Sequence, residues 1–232
     1  ILTQKIYLSI MIKMLLSKNQ IEDYQNFGVI IIKDVFKEWI EPLRKGFQKV
    51  LDNPSKHGRE NVTDNKGRFF EDYCNWERIG EFKDCIFNSP GAQIVTEATN
   101  SKSSQIFHEH IFIKEPGTNK ETPWHQDMPY YCVDGNDTGS FWIPLDEVDK
   151  ENNLKLILGS HKWQKLIRPT KWSTNQSWYK DDTSFMDLPS SEEYKKNILI
   201  PELSLGDAVL FNFKTVHGST GNNTSKSRRV FS

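Results

Sequence analysis

The feature that most narrows the fold is a change of texture at Ser104. Ahead of it, apolar residues recur mostly at helical spacing. Beyond it, they fall into short runs separated by clusters of turn formers. Segments 106–114, 138–145, 154–158, 207–216 and 228–231 each read as a strand. In the first hundred residues, Ser17 is a natural N-cap for a helix running through Gln25, and Gly28 is its stop. The β-branched run 29–32 predicts a buried strand. Trp39, Ile40, Leu43, Phe47, Val50 and Leu51 predict a helix over 37–52. Residues 53–68 read as a loop, 69–87 as helical and 91–99 as a further helix. Helices first and short strands later indicate an α+β chain whose sheet region is a barrel or jelly roll.

One large domain accommodates the 232 residues. It divides into a helical part at 17–100 and a jelly-roll core at 104–232, with an aromatic insertion at 162–196. Residues 1–16 read as an uncertain N-terminal extension. That stretch is apolar, yet Lys5, Ser9, Lys13 and Ser17 put a polar stripe along it, and it is too short to span a bilayer. The insertion carries Trp163, Trp172, Trp178, Tyr179 and Phe185, which suits either a lid over a site or packing on the sheet edge. The formal net charge of −1 offers no field for nucleic acid or an anionic membrane. Three unclustered cysteines, Cys74, Cys85 and Cys132, fit a reducing compartment, so a cytoplasmic location is expected.

The chemistry concentrates in Thr122-Pro-Trp-His-Gln-Asp-Met-Pro-Tyr130. On an extended strand His125 and Asp127, two residues apart, point the same way. Together they offer an imidazole nitrogen and a carboxylate to one point. A second histidine from elsewhere would complete a facial triad that leaves metal positions open. His217, expected at the end of the apolar run 208–213 and followed by Gly218, is the candidate. His57 reads as solvent-exposed and His161 as part of a turn. A rival set is His108, His110 and Glu115, which resemble part of a cupin metal motif but lack its opening glycine. Arg228 follows His217 across the turn-forming stretch 220–225. A hairpin there would return it to the strand beside the histidine, where its guanidinium could grip a carboxylate through two parallel hydrogen bonds. A surface basic pair, Arg228-Arg229, is the plainer alternative.

Together, His125-Gln126-Asp127, His217-Gly218-Ser219 and Arg228 resemble the phytanoyl-CoA dioxygenase family of Fe(II)- and 2-oxoglutarate-dependent oxygenases. Phe112 to Thr118, Trp142 to Leu145, Gly159-Ser160-His161 and Gly206-Asp207 follow in the family's order, and the likeness spans roughly residues 17–232. Two departures stand out. Glu151-Asn152-Asn153-Leu154 is one residue shorter than the family's usual segment, and relatives continue with further strand where this sequence stops at Ser232.

The resemblance implies a double-stranded β-helix, a cupin-like jelly roll with N-terminal flanking helices. It implies Fe(II) held by His125, Asp127 and His217, with 2-oxoglutarate as co-substrate and O2 as oxidant. Arg228 and Ser219 would bind the distal carboxylate, and Trp142, His110 and Arg78 would line the co-substrate pocket. The activity implied is hydroxylation of a small or medium-sized organic molecule, with release of succinate and CO2. Tyr130, Tyr131 and Trp172 are candidates for the substrate pocket. Asp127 argues against a halogenase, in which chloride replaces the carboxylate ligand. A cupin-like metal protein and a non-catalytic jelly-roll binding module remain the alternatives.

Overall fold

The computed structural model describes residues 13–61, 67–172 and 176–232. The first twelve residues of the expected N-terminal extension lie outside it. Leu15 and Leu16 donate their backbone N–H groups to Glu97. Helix α1 (Lys18–Phe27) begins on the predicted Ser17 cap, where Ser17 and Gln20 satisfy each other's backbone N–H groups. Gly28 closes it at φ 73°, and a Cβ there would lie 2.4 Å from the His161 ring. Strand β1 (Val29–Ile32) follows, then α2 (Ile40–Asp52) after a single 3-10 turn at Lys37–Trp39. Leu43, Phe47 and Val50 of α2 are fully buried, as the helical spacing requires.

The segment expected as a helix over 69–87 divides. Strand β2 (Arg59–Glu60) pairs with β3 (Phe69–Tyr73), and only α3 (Gly80–Asn88) is helical, ahead of α4 (Gly91–Ala98). Phe69, Glu71 and Tyr73 alternate with period two, and a neighbouring strand is available to pair with them. Cys74 then breaks the strand at φ 60°, and the Glu109 carboxylate accepts from the N–H groups of Asn75 and Trp76.

The remaining strands are β4 (His110–Lys114), β5 (Thr122–His125), β6 (Ser140–Pro144), β7 (Leu154–Ile157), β8 (Thr170–Lys171), β9 (Gln176–Ser177), β10 (Ile198–Leu199), β11 (Ala208–Phe211), β12 (His217–Ser219) and β13 (Arg228–Phe231). A short helix, α5 (Ser191–Tyr194), precedes β10. Among the described residues the strands pair antiparallel. A seven-stranded sheet in the order β1-β11-β6-β13-β4-β3-β2 faces a four-stranded sheet in the order β10-β7-β12-β5. This is the double-stranded β-helix expected of the sequence. The helices pack against the large sheet, with Phe82 of α3 on Phe231 of β13 and Phe47 of α2 on Phe82 behind it. The β8–β9 hairpin belongs to the insertion. Ile167 and Tyr194, also in the insertion, are buried beside Val216, with Trp124 and Trp163 against them.

Candidate metal and co-substrate site

The expected strand over 207–216 ends at Phe211. Thr215 N–H donates to Asn212 O, and the Thr215 hydroxyl donates to Gly28 O. This turn carries the chain from the large sheet to the small one. His217 therefore opens β12 instead of closing β11. There it is the direct cross-strand partner of His125 on β5, with ring centroids 4.2 Å apart. Gly218 permits this pairing, because a Cβ would lie 2.9 Å from Thr122 O and 3.2 Å from Trp124 N. The backbone of β5 cannot yield at both points.

Asp127 does not share a strand with His125. Strand β5 ends at the histidine, and Asp127 sits in a helical turn at φ −70° and ψ −40°. Even so, its Oδ1 lies 3.5 Å from His125 Nε2 and 3.7 Å from His217 Nε2. The intervening Gln126 points away from this cluster. It accepts from Ile167 N and donates to Lys214 O, tying the insertion to the β11–β12 turn.

The three side chains fit a divalent metal. One ligand atom from each lies within 4.8 Å of the others, and all three residues are largely buried. His125 Nδ1 bonds Pro123 O at 2.8 Å and His217 Nδ1 bonds Thr215 O at 3.0 Å. A carbonyl can only accept, so each Nδ1 carries the proton and each Nε2 is left as a free lone pair. Ser140 donates to Asp127 Oδ2, leaving Oδ1 for a metal. Burial and the neighbouring His125 push the His217 pKa down to about 4, so the ring is neutral at neutral pH. Burial alone would raise the Asp127 pKa, but the two histidines and Ser140 outweigh it and hold the carboxyl at about 2. Trp172 packs against His125 and Phe211 against His217.

Arg228 does not return beside His217. The stretch after Ser219 crosses between sheets, and Arg228 enters on β13, paired with β4 and β6 in the large sheet. It faces the small sheet from across the barrel and reaches Ser219 Oγ at 3.4 Å and Thr220 O at 3.1 Å. Its guanidinium also donates to Asn152 O, so the shortened Glu151–Leu154 segment helps to hold it. Burial lowers its pKa to about 10, which still leaves it charged.

Beside it lies a residue that sequence reasoning missed. Lys114, the register partner of Arg228 on β4, is 2% exposed. Its Nζ donates to Thr220 O at 2.9 Å, lies 3.4 Å from Ser219 Oγ and sits over the Phe69 ring. Burial, then the charge of Arg228, lowers its pKa well below the usual lysine range. Among the described residues no carboxylate lies within ion-pair distance of either cation. Two buried cations without an anion between them describe a site for a carboxylate. The one sequence signal was its place in Phe112-Ile113-Lys114-Glu115-Pro116, a segment noted only for its order.

The triad and the cationic pair line one cavity of about 1360 Å³. This exceeds the usual range for a single small ligand, roughly 300–1,000 Å³. Trp142, His110, Ser219, Tyr130, Tyr131 and Trp172 also line it. Arg78 is the sequence candidate that is not brought there; it donates to Asn75 Oδ1 and lies 4.0 Å from Asp72. The rival cupin set also fails to assemble. Glu115 accepts from Ser227, and His125, Asp127 and His217 form the metal-capable cluster among the described residues. His57 is only partly exposed and stacks on Tyr73.

A family model described as phytanoyl-CoA dioxygenase matches residues 24–230. The chain belongs to that family. A phytanoyl-CoA dioxygenase of Arabidopsis thaliana is 26% identical over 152 residues, covering 65% of this chain and 50% of the relative. The chain thus spans about half the length of that relative. A phytanoyl-CoA dioxygenase domain-containing protein 1 homolog of Caenorhabditis elegans is 25% identical, covering 90% of this chain and 87% of the relative. Among solved structures, the non-heme α-ketoglutarate-dependent carbocyclase SnoK of nogalamycin biosynthesis superposes with a TM-score of 0.73. It is 17% identical over 93% of this chain and 82% of its own. EctD from S. alaskensis, solved with 2-oxoglutarate and 5-hydroxyectoine, superposes with a TM-score of 0.71. It is 18% identical over 93% of this chain and 74% of its own. Both share the fold.

Proposed function

We propose that the chain is an Fe(II)- and 2-oxoglutarate-dependent dioxygenase that hydroxylates a small or medium-sized organic substrate. The observation that carries this reading is the meeting of a buried two-histidine, one-carboxylate set and an unpaired buried cationic pair on one cavity. His125, Asp127 and His217 would hold the metal. Arg228, Lys114 and Ser219 would grip the distal carboxylate of 2-oxoglutarate, with Trp142 walling the space between. Bound Fe(II) supplies the activation of O2 that couples oxidative decarboxylation of 2-oxoglutarate to hydroxylation of a C–H bond. The balance is one substrate, one O2 and one 2-oxoglutarate giving one hydroxylated product, one succinate and one CO2.

The protein's part is to bind, orient and exclude water. The carbonyls of Pro123 and Thr215 keep both imidazoles in the ligating tautomer, and Ser140 fixes the carboxylate. Tyr130, Tyr131 and Trp172 would shape the substrate pocket. Tyr130 clamps Thr170 through both its N–H and its carbonyl, holding the hairpin that carries Trp172 against His125. No residue need act as a general base. Cys74, Cys85 and Cys132 are free, and among the described residues no helix is long and apolar enough to cross a membrane.

The test is succinate release from 2-oxoglutarate with Fe(II), in the wild type and in Asp127→Ala. Iron-dependent succinate in the first and not the second is expected. If a broad substrate panel gives no iron-dependent turnover in the wild type, the chain is a binding module instead. Unchanged affinity and preference in Tyr131→Ala and Trp172→Ala would remove those two from the pocket.

A further inference from the structure

The cavity has a third polar wall that neither the metal nor the anion end uses. Strand β4 turns His110, Phe112 and Lys114 toward it, and the paired strand β3 turns Tyr73 and Glu71 the same way. Lys114 serves the anion end. His110 lies four residues further along, roughly 13 Å at the rise of a strand, which is farther than a five-carbon diacid reaches from Lys114. Beside it, Glu71 is 5% exposed, and its Oε2 makes no hydrogen bond among the described residues. His110 Nε2, 3.3 Å away, is likewise buried without a hydrogen bond. Arg59, the cross-strand partner of Glu71 on β2, makes no ion pair with it. Its guanidinium sits 5.9 Å from the Tyr73 ring instead.

Glu71 Oε2 thus has the His110 ring at ion-pair distance but no hydrogen bond of good geometry, and a carboxylate oxygen can accept a further donor. Such an atom aimed into a cavity describes a contact that a ligand completes. Burial would raise the Glu71 pKa, but His110, Asn61 and Arg59 together outweigh it and keep the carboxyl below its usual value. Of the carboxylates along this wall, Glu60 is paired with Arg68 and Glu109 accepts from Asn75 and Trp76, which leaves Glu71 as the buried one facing the cavity beside His110. A phosphorylated or carboxylated group would be repelled there, whereas an O–H or N⁺–H group would be held. Phe107, His108, Tyr131 and Phe213 form a connected ring cluster at the same wall, suited to an apolar body.

We propose that Glu71, with His110, is the subsite that recognises a hydrogen-bond-donating group of the organic substrate, a protonated amine or a hydroxyl, with the substrate's apolar part against the neighbouring rings. This rests on the oxygenase reading, since it assigns the substrate side of the same cavity. The subsite orients the substrate and takes no part in the oxidation.

The test uses the full chain loaded with 2-oxoglutarate and Mn(II), which holds the site without turnover. The probes are 2-phenylethylamine, 2-phenylethanol and phenylacetate, matched in skeleton and different in polar head. Binding is read by calorimetry, and proximity by relaxation of probe protons by Mn(II). The amine, the alcohol or both should bind about tenfold or more tightly than phenylacetate, and which of the two leads identifies the donor. Glu71→Gln should abolish an advantage of the amine, and Glu71→Asp, which keeps the charge, should restore part of it. Equal or tighter binding of phenylacetate, no binding of any probe, or an unaltered amine preference in Glu71→Gln would overturn the proposal. Should Glu71→Gln fail to fold, the head-group preference of the wild type decides alone. Failure of the oxygenase reading shows separately, as absence of iron-dependent succinate in the wild type.

Discussion

Replacing Lys114 by methionine separates the cost of a buried charge from its use. Lys114 is almost wholly inaccessible, faces the Arg228 guanidinium and has no anionic partner among the described residues. Methionine keeps a similar length and an apolar stem. Without 2-oxoglutarate the change removes a buried amine whose charged form is disfavoured there, its hydrogen bond to Thr220 O, which Arg228 still contacts at 3.1 Å, and a longer one of 3.4 Å to Ser219 Oγ. The shorter bond costs about 0.5–1.5 kcal/mol and the longer one less. Exchanging buried charge for apolar packing is commonly neutral or stabilising by about 1–4 kcal/mol. The ligand-free variant should therefore melt at the wild-type Tm or a few degrees above it, at about 2–4 °C per kcal/mol for a chain of this size. Binding of 2-oxoglutarate should move the other way. A charge-assisted hydrogen bond is worth about 1.5–3 kcal/mol, so Kd should rise about 10- to 150-fold. At a concentration about 100 times the wild-type Kd, 2-oxoglutarate stabilises the wild type by about 2.7 kcal/mol. For the variant the same concentration gives between about 1.4 and 0.3 kcal/mol. Thermal melts of the Mn(II)-loaded protein, with and without 2-oxoglutarate, measure both quantities. An unchanged ligand-induced shift, or a collapse of the ligand-free Tm, would refute the assignment of Lys114 to the co-substrate.

Three further outcomes are expected. Gly218→Ala forces a Cβ against the backbone of β5 at Thr122 and Trp124 and should part His217 from His125. It should lower stability by about 1–3 kcal/mol and weaken Mn(II) binding by tenfold or more, which calorimetry would detect. Tyr130→Phe removes both bonds to Thr170 and should cost about 1–3 kcal/mol, the range for a part-buried amide left unpaired; a Tm equal to wild type would count against the clamp. Burial, with His110 nearby, lowers the His108 pKa to about 4, whereas the unfolded residue takes its proton near pH 6.5. As pH falls from 6.5 to 4 the unfolded chain binds a proton that the folded one refuses, so up to about 3 kcal/mol of stability is lost across that window. His108→Gln should flatten this part of the urea-denaturation profile, and an identical slope in the variant would exclude His108 as its source.

Features that depend on neighbours in sequence were legible from the start. The Ser17 cap, the buried stripe of α2 and the candidacy of His125, Asp127 and His217 follow from local spacing and side-chain chemistry, although His125 and Asp127 converge through a helical turn and not along one strand. Features set by pairing between distant strands were not. Phe69–Tyr73 carries aromatics and charges that suit a helix equally well, and only the presence of β4 makes it a strand with Glu71 facing inward. Arg228 is eleven residues from His217 in sequence, yet it reaches Ser219 from the opposite sheet, because the chain after Ser219 crosses between layers instead of folding back. Lys114 reads as an ordinary strand lysine. Its isolation from water and, among the described residues, from any ion-paired carboxylate goes with the partner strand that brings Arg228 alongside it. The sequence by itself determined which groups could ligate a metal, since that is a property of residue type. The tertiary structure alone decided which charges are buried without a counter-charge, since desolvation depends on everything packed around a side chain.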